Sequence, residues 1–353
     1  MAGRSLTISK EDTERVVCIG AGALRLYSYV GDTDKLCGVE GIEKKDNTFN
    51  GILRPYREIN REKFRNLPTC GAGGPNAQHA ETEAIAGCSP TIVISEYSDV
   101  KSMDDLQDKL GVPVVILSYG TALGTDPKIS DSLTLLGRIF HREARAKELT
   151  DYIASMQNDL LNRTRDIKDE DKKSVYLGCL GNWGVQDIYS TAAGFSLMNL
   201  SHINNAADKL KDVDPNKDGI TYTSVDLESL ATTINPDKII LDAAGIKKFK
   251  TTYFSYTPEQ KEIFHSITAV KNHEIYYQMP FNAYFTNIET AYMDAYYEGM
   301  VAFPEAFSDI TIAEKSDEIT EKFLGVKYYD TYKSFHNGGF KQITDLDTFL
   351  NEI

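Results

Sequence analysis

The chain is poor in positive charge. Its 38 Lys plus Arg stand against 52 Asp plus Glu, a formal net charge of -14 over 353 residues. That balance excludes a nucleic-acid backbone as partner, which would call for a basic stripe. No run of about 18 apolar residues occurs, so no helical membrane span is encoded. The opening stretch MAGRSLTISKEDTERVV has neither an apolar core nor a small-residue cleavage site. If the protein is exported, its leader is expected to have been removed. Cysteine is scarce and unpatterned: Cys18, Cys37, Cys70, Cys88 and Cys179 are odd in number and lack CxxC or CxxH spacing. That is neither a zinc pattern nor a disulfide framework, so free structural thiols are expected, with one bridge as the alternative. The six histidines show no HxxxH or HxH spacing, and no metal-ligating set is assigned. GxSxG, P-loop and recognisable Cys–His patterns are all missing, so no catalytic residue and no cofactor are assigned.

What is present reads as an ordinary globular α/β protein, 41% hydrophobic and 25% charged. Val16-Val17-Cys18-Ile19-Gly20 is a short apolar run followed by a glycine-entered helix, Ala23 to Val30. Lys35 to Val39, Thr91 to Ile94 and Val112 to Leu117 are further strands, while 41–75 is rich in Asn, Arg, Pro and Gly and reads as a long irregular connection. The alternation restarts with strands at Ser174–Gly178, Lys238–Asp242 and, last, Glu274–Tyr277, with helices at Leu227–Thr232 and Asn287–Met300. Strands alternating with helices predict mostly parallel sheets.

From Ser130 to about Arg165 there is no Pro and one Gly, and Leu133, Leu136, Ile139, Phe140, Ala144, Leu149, Ile153, Met156 and Leu160 recur at helical spacing. A helix of about 36 residues would reach roughly 50 Å, so it is expected to be a rigid spine between two lobes. The organisation predicted is an N-terminal α/β lobe over 1–129, a linking helix over 130–168 and a C-terminal α/β lobe over 169–353. Both lobes are Rossmann-like, and a ligand cleft lies between them.

Several segments together carry a family resemblance. Leu36-Cys37-Gly38-Val39-Glu40 follows Glu14-Arg15-Val16-Val17 as an opening strand–helix–strand. Glu83-Ala84-Ile85 leads to Pro90-Thr91-Ile92-Val93-Ile94, echoed in the second half by Glu228-Ser229-Leu230 before Asn235-Pro236-Asp237-Lys238-Ile239-Ile240. Ala269-Val270-Lys271-Asn272 then leads to Ile275-Tyr276. In this order the segments resemble the helical-spine (class III) substrate-binding proteins of ATP-driven (ABC) importers, which handle iron complexes such as siderophores, haem and corrinoids. Gly22-Ala23-Leu24-Arg25-Leu26, Arg54-Pro55-Tyr56, Phe281 to Glu289 and Phe303 to Ile310 are similar to an iron-complex subgroup. The resemblance implies an exported, periplasmic or lipid-anchored monomer. It would capture an iron(III) chelate and deliver it to a membrane permease, with a corrinoid, haem or a bare metal ion as alternative ligands. In the family, one glutamate per lobe docks on the permease; here these would be Glu83 and Glu228. As a physical alternative, each is an exposed acid favoured by a helix start.

The candidate ligand residues each have a plainer reading. Arg54, Tyr56 and Arg57 lie in the 41–75 connection. Guanidinium forks and a phenol suit an anionic chelate entering an acidic protein, and a solvated loop is the alternative. Arg25 starts a helix after glycine and serves either a ligand or an ion pair. Tyr97 and Tyr119 follow strands and can line a cleft. Trp183, the only tryptophan, and Gln186 lie in a glycine-flanked loop after a strand, where an aromatic can cover a flat ligand or plug the core. Asn282, Tyr284 and Asn287 sit between a strand and a helix, as ligand contacts or helix caps. Asp214, Asn216, Asp218 and Gly219 match part of a calcium loop, but Val225 occupies the twelfth position, so an acidic turn is favoured. Gly20-Ala21-Gly22 with Glu40 about 20 residues on leaves an NAD-dependent enzyme as a distant alternative, with Arg25 in place of the third glycine. A ligand-free scaffold is a further alternative.

Overall fold

The computed structural model describes residues 2–45, 53–74, 77, 79–181, 184–210 and 221–353. Its first sheet is built from β1 (Val16–Ile19), β2 (Leu36–Gly38), β3 (Ile92–Ser95) and β4 (Val114–Ile116) in the order β2-β1-β3-β4, all parallel. Every residue of these four strands is buried. A parallel sheet covered on both faces needs apolar side chains on both, so its strands read as continuous apolar runs rather than as alternation.

The second sheet runs β11-β10-β9-β5-β7. Strands β5 (Ser174–Gly178), β7 (Asn204–Asn205), β9 (Lys238–Asp242) and β10 (Ile275–Gln278) are parallel. The edge strand β11 (Lys341–Gln342) is antiparallel to β10, so Glu274–Tyr277 is not the last strand. A separate antiparallel pair joins β6 (Ser190–Ala193) to β8 (Thr221–Ser224). The molecule is thus two α/β lobes, as expected. The 41–75 connection is less irregular than its composition suggests, since it contains short helices at Gly41–Lys44, Pro55–Ile59 and Arg61–Asn66. Pro55 sits at a helix start, where its missing N–H costs nothing.

The single helix expected across 130–168 is corrected to two. Helix α2 (Pro127–Ile139) and helix α3 (Glu143–Thr164) follow α1 (Ala23–Val30) in the labelling used here and are broken at 140–142. His141 takes a left-handed φ of 53°, and the Arg142 N–H reaches back to the Gly137 carbonyl at 2.7 Å. Gly137 makes the turn possible: a Cβ there would stand 2.5 Å from Ala146 Cβ, so only glycine lets the two helices approach. Helix α3 carries the chain to the second sheet, burying Ala146, Leu149, Ile153, Met156 and Leu160. Across the lobes lies α4 (Ile288–Ala302), buried on nearly every side, with Tyr292 and Tyr296 hydroxyls bonded to Gly124 O and Asp159 Oδ2. These tyrosines pack, as their helical spacing suggests. All five cysteines are free and buried. No helix among the described residues is long and apolar enough to cross a membrane. The Asp214–Gly219 turn lies outside the described residues.

Candidate ligand-binding cleft

In open parallel sheets the loops beyond the carboxyl ends of the strands form the binding crevice. Beyond β1 the chain turns through Gly20 and Gly22 into α1; Gly22, at φ 92°, is held where a Cβ would meet the Tyr119 phenol at 2.7 Å. Beyond β3 come Glu96 and Tyr97, and beyond β4 come Ser118 and Tyr119. From the second lobe, Gly181 follows β5, and a hairpin over 281–287 follows β10.

That hairpin closes on itself through Asn287 N–H to Phe281 O (2.8 Å) and Ala283 N–H to Phe285 O (3.1 Å). Its tip holds two consecutive non-glycine residues in the left-handed region, Tyr284 at φ 50° and Phe285 at φ 73°. Such pairs persist only where surrounding contacts over-determine them, and they concentrate at functional sites. Here the contacts come from the other lobe. Tyr284 Oη donates to Glu40 Oε2 at 2.7 Å, Asn287 Nδ2 donates to Leu53 O at 2.7 Å, and the Phe285 ring meets Tyr119 edge-on at 4.6 Å. Phe285 stays 37% exposed, an apolar ring left open where the lobes meet.

An acid–phenol patch surrounds this contact. Glu40 is buried, its Oε1 accepting the Gly20 N–H at 3.1 Å. Burial pushes its carboxyl up to about 7, against the opposing pull of the Tyr284 hydroxyl and the Gly20 amide. Burial likewise pushes Glu96 up to about 7. The Tyr97 phenol is pushed up to about 12 by its own burial, with Glu40, Glu81 and Glu96 adding to the effect. Tyr97 donates to Ala77 O at 3.3 Å and also borders a pocket of about 440 Å³ with His79, Asp99 and Met103. The patch offers hard oxygen atoms, and two of its carboxyls change charge near neutral pH.

The candidates named from sequence fall into three groups. Tyr97, Asn282 and Tyr284 are half-buried at the strand ends, with Asn282 Nδ2 bonded to Gly181 O (2.9 Å). Gln186 is half-buried in the second lobe beside Lys248. Arg25, Arg54, Tyr56, Arg57, Tyr119 and Asn287 are fully buried. The arginines expected to meet an anion are engaged inside the protein instead. Arg54 pairs with Glu43 at 2.7 Å, and Arg57 bonds Glu43 O and Lys45 O at 2.9 Å each. Arg25 holds hairpin carbonyls. Tyr56 donates to Glu43 at 2.6 Å, Tyr119 to Gly22 O at 3.0 Å. The physical reason is the folding of Gly41–Lys44 and Pro55–Ile59 into helices, which turns Arg54 and Arg57 inward, whereas Arg61 and Arg65 further on stay partly exposed. Trp183 lies outside the described residues. Glu40, Glu81, Glu96 and Phe285 were not singled out as ligand residues. Glu96 carried one usable signal: an acid directly after a buried strand. Among the described residues, no group of three or more His, Cys, Asp or Glu is placed to hold a metal ion.

Known proteins share this fold. The sequence profile described as periplasmic binding protein matches residues 16–280. The chain is 25% identical over 242 residues to the high-affinity heme uptake system protein IsdE of Staphylococcus aureus, covering 67% of this chain and 74% of that protein. Its fold is similar to the molybdate periplasmic binding protein MolA of Haemophilus influenzae, with a TM-score of 0.66 and 15% identity over 93% of this chain and 97% of that one. A periplasmic solute binding protein of Veillonella parvula gives 0.64 and 18%, covering 93% of each chain. With a family profile spanning both lobes of a two-sheet α/β fold, the chain belongs to the periplasmic binding protein family, the substrate-binding components of ABC importers.

Proposed function

We propose that this protein captures an iron(III) complex in the interlobe cleft, outside the cytoplasm, and hands it to the importer's permease. The observation that carries this reading is the pairing of an oxygen-donor patch, Glu96 and Tyr97 with Glu40 and Tyr284 behind them, with the open apolar ring of Phe285. Carboxyl and phenol oxygens suit hard iron(III) and the polar edge of its chelator, and an aromatic ring suits a flat apolar ligand face. Haem is the second reading, favoured by Phe285 and by the likeness to a protein named for heme uptake.

Difference absorbance titrations of the full chain with ferric haem, a panel of ferric chelates, cobalamin and NAD separate these readings. Saturation at one equivalent by an iron complex is expected, with Tyr97→Phe weakening it about tenfold. No response to any iron complex would overturn the proposal. A response to cobalamin alone would move the ligand to corrinoids, and a response to NAD alone would restore the dinucleotide alternative.

Glu83 and Glu228 support the delivery step. Both are exposed, in the first turns of the helices at Thr82–Gly87 and Leu227–Ser229, one on each lobe. Replacing both with alanine is expected to leave ligand affinity unchanged and to cut permease-dependent uptake about tenfold or more, since charged contacts of this kind govern recognition of the partner. Undiminished uptake would remove these two residues from docking.

A further inference from the structure

Arg25 is completely buried, on the first turn of α1 in the first lobe, yet the backbone it grips belongs to the second. Nη1 donates to Thr286 O at 2.9 Å, and Nη2 donates to Ala283 O at 2.7 Å and Tyr284 O at 3.2 Å. Nη1 also reaches Tyr119 Oη at 3.4 Å, and the guanidinium carbon stands 4.9 Å from the centre of the Tyr56 ring. Three carbonyls from four successive residues converge on one guanidinium. The chain reverses here through two left-handed residues, Tyr284 and Phe285, and this reversal turns the three carbonyls toward one point. The strain at the tip and the cation beneath it therefore belong to one device. The fork holds two nitrogens at fixed separate positions, one on Thr286 O and the other on Ala283 O and Tyr284 O; an ammonium puts its three donors on one nitrogen and cannot stand at both.

We infer that Arg25 is a positioning residue for ligand capture: it holds the 281–287 hairpin in the strained form that presents Phe285 and Tyr284 at the junction of the lobes. The inference rests on the cleft reading given above. Arg25 adds to the Tyr284–Glu40, Asn287–Leu53 and Phe285–Tyr119 contacts a direct grip of the first lobe on the hairpin backbone. Most of the polar contacts of Arg25 are to the hairpin, so its loss falls there before it falls on either sheet. Glu289, one turn beyond the hairpin, accepts a hydrogen bond from Tyr29 of α1 and so continues the same interlobe seam.

The test uses the full chain and the variants Arg25→Lys, Arg25→Met and Tyr119→Phe. Two quantities are read: amide hydrogen exchange without ligand, and affinity for whichever iron complex the wild type binds. In both Arg25 variants, exchange at Ala283 and Asn287 is expected to quicken about tenfold or more while β1 and β5 stay protected. Affinity is expected to fall about tenfold. Lysine does not rescue, because its single nitrogen cannot stand at both positions of the fork. Tyr119→Phe removes only the hydroxyl and shifts both readouts in the same direction by about threefold, which keeps the test open if Arg25→Met fails to fold. Unchanged exchange in the hairpin, rescue by lysine, or faster exchange with unchanged affinity would each overturn the inference. A wild type that binds no iron complex marks failure of the cleft reading instead, a different result from a binding wild type whose variants bind equally well.

Discussion

Glu43→Ala is expected to lower the unfolding free energy by about 3–5 kcal/mol, among the largest losses any single side chain of the first lobe would cause. Glu43 is 2% exposed and its partner Arg54 1% exposed. One carboxylate oxygen meets Arg54 Nη1 at 2.7 Å and the other accepts the Tyr56 hydroxyl at 2.6 Å, while Arg54 Nη2 donates to Ile42 O at 2.9 Å. Removing the carboxylate takes a buried anion from the Arg54 guanidinium and the acceptor from the buried Tyr56 hydroxyl, while the desolvation cost of both groups remains. Glu43→Gln retains an acceptor oxygen and should lose less. The double variant Glu43→Ala, Arg54→Ala should lose less than the sum of the single losses, because the two side chains share one contact that each single deletion already removes. Urea unfolding of the four proteins reads this directly; a loss below about 1 kcal/mol for Glu43→Ala would show that the pair is not the local anchor described here.

Alkaline destabilisation is the second large effect. Asp242, Asp294 and Glu298 are completely or almost completely buried beside Gln278, at the ends of β9 and β10 and on α4. Burial pushes the Asp242 carboxyl up to about 8, the Ala244 N–H and Gln278 opposing it. Burial, then the neighbouring acids, push Asp294 well above the carboxylate range. Glu298 goes the same way through burial and Asp242, with Gln278 opposing. The groups acting on the three are acids, an amide side chain and backbone N–H groups, so protonation is what relieves them. The sign follows from the raised folded-state values. The native state binds more protons than the unfolded chain, whose carboxyls titrate near 4. The stabilisation is complete below that value and is lost as pH rises through about 8 and beyond. Glu40 and Glu96, both pushed up to about 7, act in the same direction. Buried His336, lowered to about 4 from 6.5, acts oppositely, and only between those two values. The clean comparison therefore starts at pH 6.5. From there to about pH 9, thermal stability should fall, with a slope near 1.4 kcal/mol per pH unit for each proton released. Asp294→Asn with Glu298→Gln should flatten the slope. A stability that rises over this range would contradict the assignment.

How much of this was legible in the sequence depended on whether one residue or two decided the matter. Val16–Ile19 and residues 92–94 are readable as strands because a sheet buried on both faces favours unbroken apolar runs. The break at 140–142 was not readable. The helical spacing runs straight through it, and the turn depends on Gly137 meeting Ala146, a contact between two helices. Arg25 and Arg54 are legible as important but not in what they touch, since a guanidinium facing buried partners looks no different in sequence from one facing solvent. The Asn282–Asn287 segment was placed correctly between strand and helix, but its left-handed tip was not, because Tyr and Phe give no hint of positive φ. Nothing in the sequence marks Asp294 and Glu298; the enclosure of α4 is what makes them exceptional.

The central claim is that an iron complex sits where the two lobes meet. Anomalous scattering at the iron edge, from crystals of the complex formed in the titrations above, locates the metal without reference to any side-chain argument. The account predicts a single strong peak between the Glu96–Tyr97 end of β3 and Phe285 of the hairpin. A peak on the outer face of either lobe, with none between them, would contradict it.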